Sequence, residues 1–449
     1  MSTKVQAAHA RLNVGSVVQI FALALVIAAL SEWLGPLPIE LGVGKVVLLP
    51  MIWALLIGLV LGLCSKHVPP ALKLSLQGQH LAAAVLSSAL FLFIAKLGLL
   101  VGGSIPQLAQ VGWGLVLQEL GNLVGCVMLG MPVALLLGIK REAIGATFSI
   151  GREPGLAIVG ERFGMDSPEG RGVLAEYITG TLIGAIFISL LAGFVTSLNI
   201  FHPLALAMGA GVGSGSMTAA AVGAVAAQHP EMADKIATFA AAANLIATTV
   251  GTYLTLFISL PLAVRAYRFL EPILGGKRKA AEVEKSGSSA QEAEAHAAEN
   301  HAVVLNLGMR LVSWAYVALL VLIGNRIGYG IPMLDALPGV LLIIATVLVG
   351  DLIYMGTQRK LPAVCWISFI AMAMTFPQTP YAAEVAALTG KVNFLAMITP
   401  MLTFAGLSLA KDIPAFRRLG WRIVVVSLMA NAGVFLAAAV ISQFFVGSL

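Results

Sequence analysis

Residues 95–113 read AKLGLLVGGSIPQLAQVGW, and residues 405–421 read AGLSLAKDIPAFRRLGW. Each stretch closes an apolar helix and passes through Ile-Pro (Ile105-Pro106, Ile413-Pro414) to Gly-Trp (Gly112-Trp113, Gly420-Trp421). Each then opens a long apolar run that carries an asparagine, Asn122 or Asn431. The first connection is poor in charge, whereas the second holds Lys411, Arg417 and Arg418. Lys and Arg collect in cytoplasmic loops, so the two stretches face opposite sides of a membrane. Related sequences of opposite orientation predict an inverted-topology repeat.

Working outward, the 449-residue chain is 59% hydrophobic and 11% charged, with a mean hydropathy of +0.94. A soluble domain carries about 25% charged residues. The expected fold is therefore an all-α polytopic membrane protein of about 11–13 membrane helices with inverted repeats. Plain spans are expected near 15–34, 45–64, 80–101, 111–138, 171–198 and 235–262, then 303–325, 336–356, 362–382, 391–410 and 420–447. The polar run after residue 262 suits a cytoplasmic linker. The expected organisation is 1–138 as a first repeat, 139–262 as a central core, 263–302 as the linker and 303–449 as a second repeat. Basic loops place the N-terminus inside. The net charge of +6 follows from those loops, so no nucleic-acid partner is expected. The three cysteines, Cys64, Cys126 and Cys365, have no metal-ligand spacing.

Two segments break the spanning pattern. Ser149–Gly164 reads SIGREPGLAIVGERFG, and Gly211–Ala226 reads GVGSGSMTAAAVGAVA. Both are rich in glycine, which weakens a helix, and both precede a polar Pro loop and a long span. Irregular backbone survives in a membrane only where protein or a water-filled cavity satisfies it. Each segment is therefore a re-entrant hairpin or a broken helix, and charge parity permits both readings. Candidate substrate-binding residues in the first are Ser149, Gly151, Arg152, Glu153 and Gly155. Arg152 is a candidate for bidentate anion recognition, and an internal carboxylate pair competes with that reading. In the second segment the candidates are Gly213, Ser214, Gly215, Ser216 and Thr218, with Asn244 of the next span as their polar partner. Close helix packing by small residues is the competing explanation.

Ion coupling needs a titratable or cation-binding group at depth. Glu119, Asn122 and Glu176 are the candidates, against a static pairing with Arg152 or Lys96. Asp351 and Arg310 are expected to snorkel to the interface. The run TFPQTP (residues 375–380) breaks a late helix.

The run GREPGLAIVGERFGMDSPEGRG, taken with GAGVGSGSMTAAAVGA, resembles an uncharacterised domain-of-unknown-function family of bacterial inner-membrane proteins. The Gly-Ser turn into Thr218 more distantly resembles the hairpins of glutamate–sodium symporters and of keto-deoxygluconate and citrate permeases. That resemblance implies an elevator mechanism, a homodimeric scaffold and a carboxylate substrate, although the Arg152-Glu153 pair departs from it. The expectation is a multi-pass inner-membrane secondary transporter of a small organic anion, coupled to Na⁺ or H⁺, with no other cofactor. Rival readings are a channel or holin-like exporter and a membrane-embedded enzyme or sensor using Glu119 and Glu176. No catalytic motif is present, so no enzyme activity is expected.

Overall fold

A computed structural model describes residues 14–41, 44–64, 69, 72–106, 108, 112–164, 167–251, 254–275, 305–357, 363–413 and 420–446. The first half holds α1 (Val14–Leu34), a hairpin of β1 (Leu37–Leu41) and β2 (Gly44–Leu48), α2 (Pro50–Leu63), α3 (Leu76–Gly103) and α4 (Trp113–Leu136). The centre holds α5 (Glu142–Thr147), α6 (Arg152–Phe163), α7 (Pro168–Ser197), α8 (Pro203–Ala210), α9 (Gly215–Ala226), α10 (Ala233–Ile246) and α11 (Leu260–Leu274). The last half holds α12 (Leu307–Tyr329), α13 (Met333–Gly356), α14 (Ala363–Thr375), α15 (Ala382–Gly390), α16 (Phe394–Leu409) and α17 (Trp421–Val446). The protein is an all-α polytopic membrane protein. Among the described residues, α1, α3, α4, α7, α12, α13 and α17 are long and apolar enough to cross a bilayer. The pair α15 and α16, bent by 59°, is a broken span or a re-entrant loop, and α2, α9 and α14 are shorter apolar helices.

Several helix contacts of the first half have counterparts in the last half. α1 packs on α2 as α13 packs on α14; α2 packs on α16 as α14 packs on α3. α12 lies between the halves and touches α1, α3, α13 and α16. Gly98 and Gly406 stand at equal distances before Trp113 and Trp421, and both sit in such contacts. A side chain on Gly98 would come within 2.6 Å of the Ala371 Cβ of α14, and one on Gly406 would strike Leu55 of α2.

α4 and α17, which follow the two Ile-Pro connections, make the most extensive helix contact among the described residues. It is antiparallel: Gly121 lies against Ala438, Gly125 against Gly433 and Gly130 near Ala430. Gly125 and Gly433 hold matching positions after Trp113 and Trp421, and they meet each other, as an isologous contact requires. Gly112 and Gly420 both have positive φ, 51° and 75°, where a Cβ would be strained. This accounts for glycine before both tryptophans.

Several expectations are corrected. The span expected at 45–64 begins only at Pro50; Gly44–Leu48 pairs with Leu37–Leu41 as a β-hairpin. The expected span 391–410 is the second arm of the bent pair, and α14 ends at Thr375, where TFPQTP starts. Arg310 does not snorkel: it bonds Asp351, which is fully buried. Beyond residue 262 the helix also runs on through Leu274, and the linker from 276 to 304 lies outside the described residues.

Candidate functional site

α5 and α6 form a helical hairpin whose start and end meet. Arg141 pairs with Glu169 at 2.7 Å, and Arg171 pairs with Glu142 at 3.2 Å. Residues 141–142 therefore lie beside the first turn of α7, and the chain between them enters and returns on one side. Ser167 caps α7 by accepting from the Gly170 N–H at 2.9 Å, which fixes the turn out of the hairpin. The tip is Phe148–Gly151. Ser149 Oγ accepts from the Gly151 N–H at 2.9 Å. The Ser259 hydroxyl reaches the Phe148 carbonyl and, at 3.1 Å, that of Leu123, tying the tip to α4.

α8 and α9 form a second hairpin. His202, at its start, lies within electrostatic reach of His229, at its end. Burial lowers the His202 pKa below the ordinary imidazole value, and His229 lowers it further. α7 separates the two mouths. Its 30 residues span about 45 Å, against about 30 Å of hydrocarbon. The hairpins therefore enter from opposite sides.

The second tip, Gly211–Ser214, is held by Asn244. Its Nδ2 donates to the Gly211 carbonyl at 2.7 Å and the Gly213 carbonyl at 2.9 Å, and approaches Thr218 Oγ1 at 3.2 Å. Asn244 and Thr218 are thus committed to shaping the tip. Ser214 and Ser216 are not: among the described residues their hydroxyls touch only each other, at 3.4 Å. Ser214 is the N-cap of α9, yet its side chain caps nothing. Serine normally satisfies a first-turn N–H there, so the start of α9 keeps donors for an anion.

Small-residue packing explains only part of this glycine content. A Cβ on Gly211 would fall 2.6 Å from that of Ala243, so α10 demands glycine there. A Cβ on Gly215 would meet only Leu90, at an ordinary 3.6 Å. Gly151 is exposed, and Gly213, Ser214 and Gly215 are half-buried.

The two tips converge. Ile150 and Val212 bury their side chains in one cluster with Cys126, Ala430, Val434 and Ala438. Those last four belong to α4 and α17 where Gly125 meets Gly433. Both helices that follow a hairpin also loosen into π-turns beside the site, at Gly180–Gly184 and Ala247–Gly251. Such turns recur at functional positions.

Glu119 is fully buried on α4. Its Oε1 accepts from Asn122 Nδ2 at 2.6 Å, and its carboxylate faces Gly251 of the second π-turn. Its Oε2 has no hydrogen-bond partner among the described residues. Glu176 is buried on α7 beside Gly180, ahead of the first π-turn. Lys96 pairs with neither; its ammonium donates to the Thr389 carbonyl at 2.8 Å. The side chains of Arg152 and Glu153 lie outside the described residues. Gly155 is buried behind the tip, where a Cβ would meet Val173 at 3.5 Å.

Sequence reading missed Glu32. It is 5% exposed against Gly324 and Gly328 of α12, with the Thr399 hydroxyl beside it and no completed hydrogen bond to either oxygen. Asp351 of α13 holds the related place at the other end of α12. The signal available was a carboxylate inside a helix end without a nearby cation in sequence.

A family model described as "Protein of unknown function (DUF3100)" matches residues 29–269, more than half of the chain and both hairpins. No curated protein and no solved structure matches the chain.

Proposed function

The chain belongs to the DUF3100 family, and we propose that it is an ion-coupled secondary transporter of a small organic anion. One observation supports this reading: two helical hairpins, with mouths at opposite ends of α7, seat Ile150 and Val212 of their tips in one buried cluster with α4 and α17. A site between such tips is closed to each side by one hairpin, which suits alternating access. The uncapped start of α9, with Ser214 and Ser216, supplies donors for a carboxylate. Arg152, by sequence, adds a cation at the start of α6. In this proposal residues 141–262 move as an elevator against a homodimeric scaffold in a bacterial inner membrane, with the N-terminus cytoplasmic. No enzymatic step and no cofactor besides the coupling ion is needed.

Cysteine protection tests the site. Gly151→Cys and Gly215→Cys are the better probes, because both positions have access while Gly155 is buried. In vesicles, a transported carboxylate is expected to slow maleimide labelling at both positions. Labelling that no carboxylate alters at either position would remove the site from the tips.

We assign coupling to protons at Glu119, a buried carboxylate on α4 whose Oε2 has no hydrogen-bond partner among the described residues. Glu119→Gln mimics a carboxyl that holds its proton. It is expected to abolish accumulation driven by a pH gradient while leaving substrate exchange intact. Wild-type accumulation in this variant would move the coupling elsewhere.

A further inference from the structure

Outside the hairpin tips, one cavity is lined by arginines. A cavity of 720 Å³ opens between α6 and α11. Its walls are mostly apolar, with Phe163, Phe257 and Leu260 among them, and they carry Arg162, Arg265 and Arg268. Among the described residues, no acidic side chain lines it. None of these arginines pairs with a carboxylate among the described residues, although neighbouring Lys140 and Arg141 are both paired. Three arginines on one cavity, with no carboxylate partner among the described residues, suit an anion, and the apolar wall beside them suits hydrocarbon.

Lys140 bonds Glu271 of α11 at 2.7 Å, which ties the end of α11 to the mouth of the first hairpin. α11 buries Leu260 and Ala263 against the hairpin, yet leaves Phe269 and Ile273 about 70% exposed. Phe257, just before it, is also 70% exposed. A helix that carries two arginines, Arg265 and Arg268, and exposed aromatic and aliphatic side chains suits the headgroup–acyl boundary.

We propose that this cavity binds an anionic phospholipid, with its phosphate among Arg162, Arg265 and Arg268 and an acyl chain along Phe163, Phe257 and Leu260. Basic pockets between helices at a membrane surface take such headgroups. The lipid would brace α6, the outer arm of the hairpin, against α11. This site is independent of the transport reading, because its test needs no transport.

The test uses the purified, delipidated full-length protein in a neutral detergent and reads its melting temperature. Phosphatidylglycerol is expected to raise the melting temperature saturably, and phosphatidylcholine and glycerol 1-phosphate are expected not to. Each of Arg162→Gln, Arg265→Gln and Arg268→Gln should weaken the phosphatidylglycerol response by roughly fivefold, and Arg265→Lys should restore most of it. Arg326→Gln, whose arginine is exposed at the far end of α12, should leave it unchanged. Equal stabilisation by phosphatidylcholine, or no loss in any of the three variants, would overturn the proposal. A glycerol 1-phosphate shift as large as that of phosphatidylglycerol would also overturn it, because the ligand would then be a soluble phosphate. Where a glutamine variant fails to fold, phosphatidylglycerol retained through purification of Arg265→Lys decides the matter: retention at the wild-type level supports the site, and none opposes it.

Discussion

Asn244→Ala is expected to reduce substrate affinity by tenfold to a hundredfold while the protein still inserts and folds. The side chain holds two carbonyls of the second tip, those of Gly211 and Gly213, and reaches Thr218. Alanine leaves these acceptors without their donor. An orphaned buried acceptor costs about 1–3 kcal/mol, so the tip relaxes away from its present shape. The fold itself loses less, because an interhelical hydrogen bond in a bilayer contributes only about 0.6 kcal/mol on average. The loss should therefore appear as a raised KM, with the amount of protein in the membrane preserved. Thr218→Val removes only one partner and should have a smaller effect of the same kind. Transport kinetics in reconstituted vesicles make the comparison. Wild-type KM for Asn244→Ala would mean that the tip geometry is not the binding geometry.

Much of this arrangement is legible in the sequence because it is written in local chemistry. Gly112-Trp113 and Gly420-Trp421 mark both ends of the repeat, since each glycine must take a positive φ that other residues resist. The two irregular segments declare themselves by glycine at bilayer depth. Hydropathy is blind to what lies between: Lys45–Leu49 is as apolar as a helix end, so the β-hairpin merges into an expected span until Pro50 resets it. The 59° bend before α16 rests on Gly390–Asn393, a short polar stretch that hydropathy averages away. Distant partners are harder still. Lys96 meets a carbonyl at Thr389 and Arg310 meets Asp351 through the packing of α3, α12, α13 and α15, which no local pattern encodes. Glu32 and the cavity at α11 belong to the same class, because each becomes visible only when helices far apart in sequence are brought together.

The second large effect is expected where α4 meets α17. Gly433→Val should lower stability by roughly 2–4 kcal/mol, since overpacking commonly costs 1–3 kcal/mol and here backbone rather than a flexible side chain stands in the way. A Cβ on Gly433 would press the Gly125 backbone and stand 3.1 Å from the Leu129 Cβ; one on Gly125 would press the Gly433 backbone and stand 2.7 Å from the Ala437 Cβ. Gly356→Ala is the matched control, because a Cβ there meets nothing within 4 Å and alanine favours the helix. The two glycines report one contact from both sides. Gly125→Ala with Gly433→Ala should therefore cost less than the sum of the two single changes: the first substitution already parts the helices that the second would push. A consequence for function follows from the cluster that seats Ile150 and Val212 on α4 and α17. A single substitution at Gly433 should raise hydrogen exchange at both tips, although they lie far apart in the chain and belong to hairpins entered from opposite sides. Exchange raised at one tip alone would separate the hairpins mechanically and would deny the contact of α4 and α17 its role as their common seat.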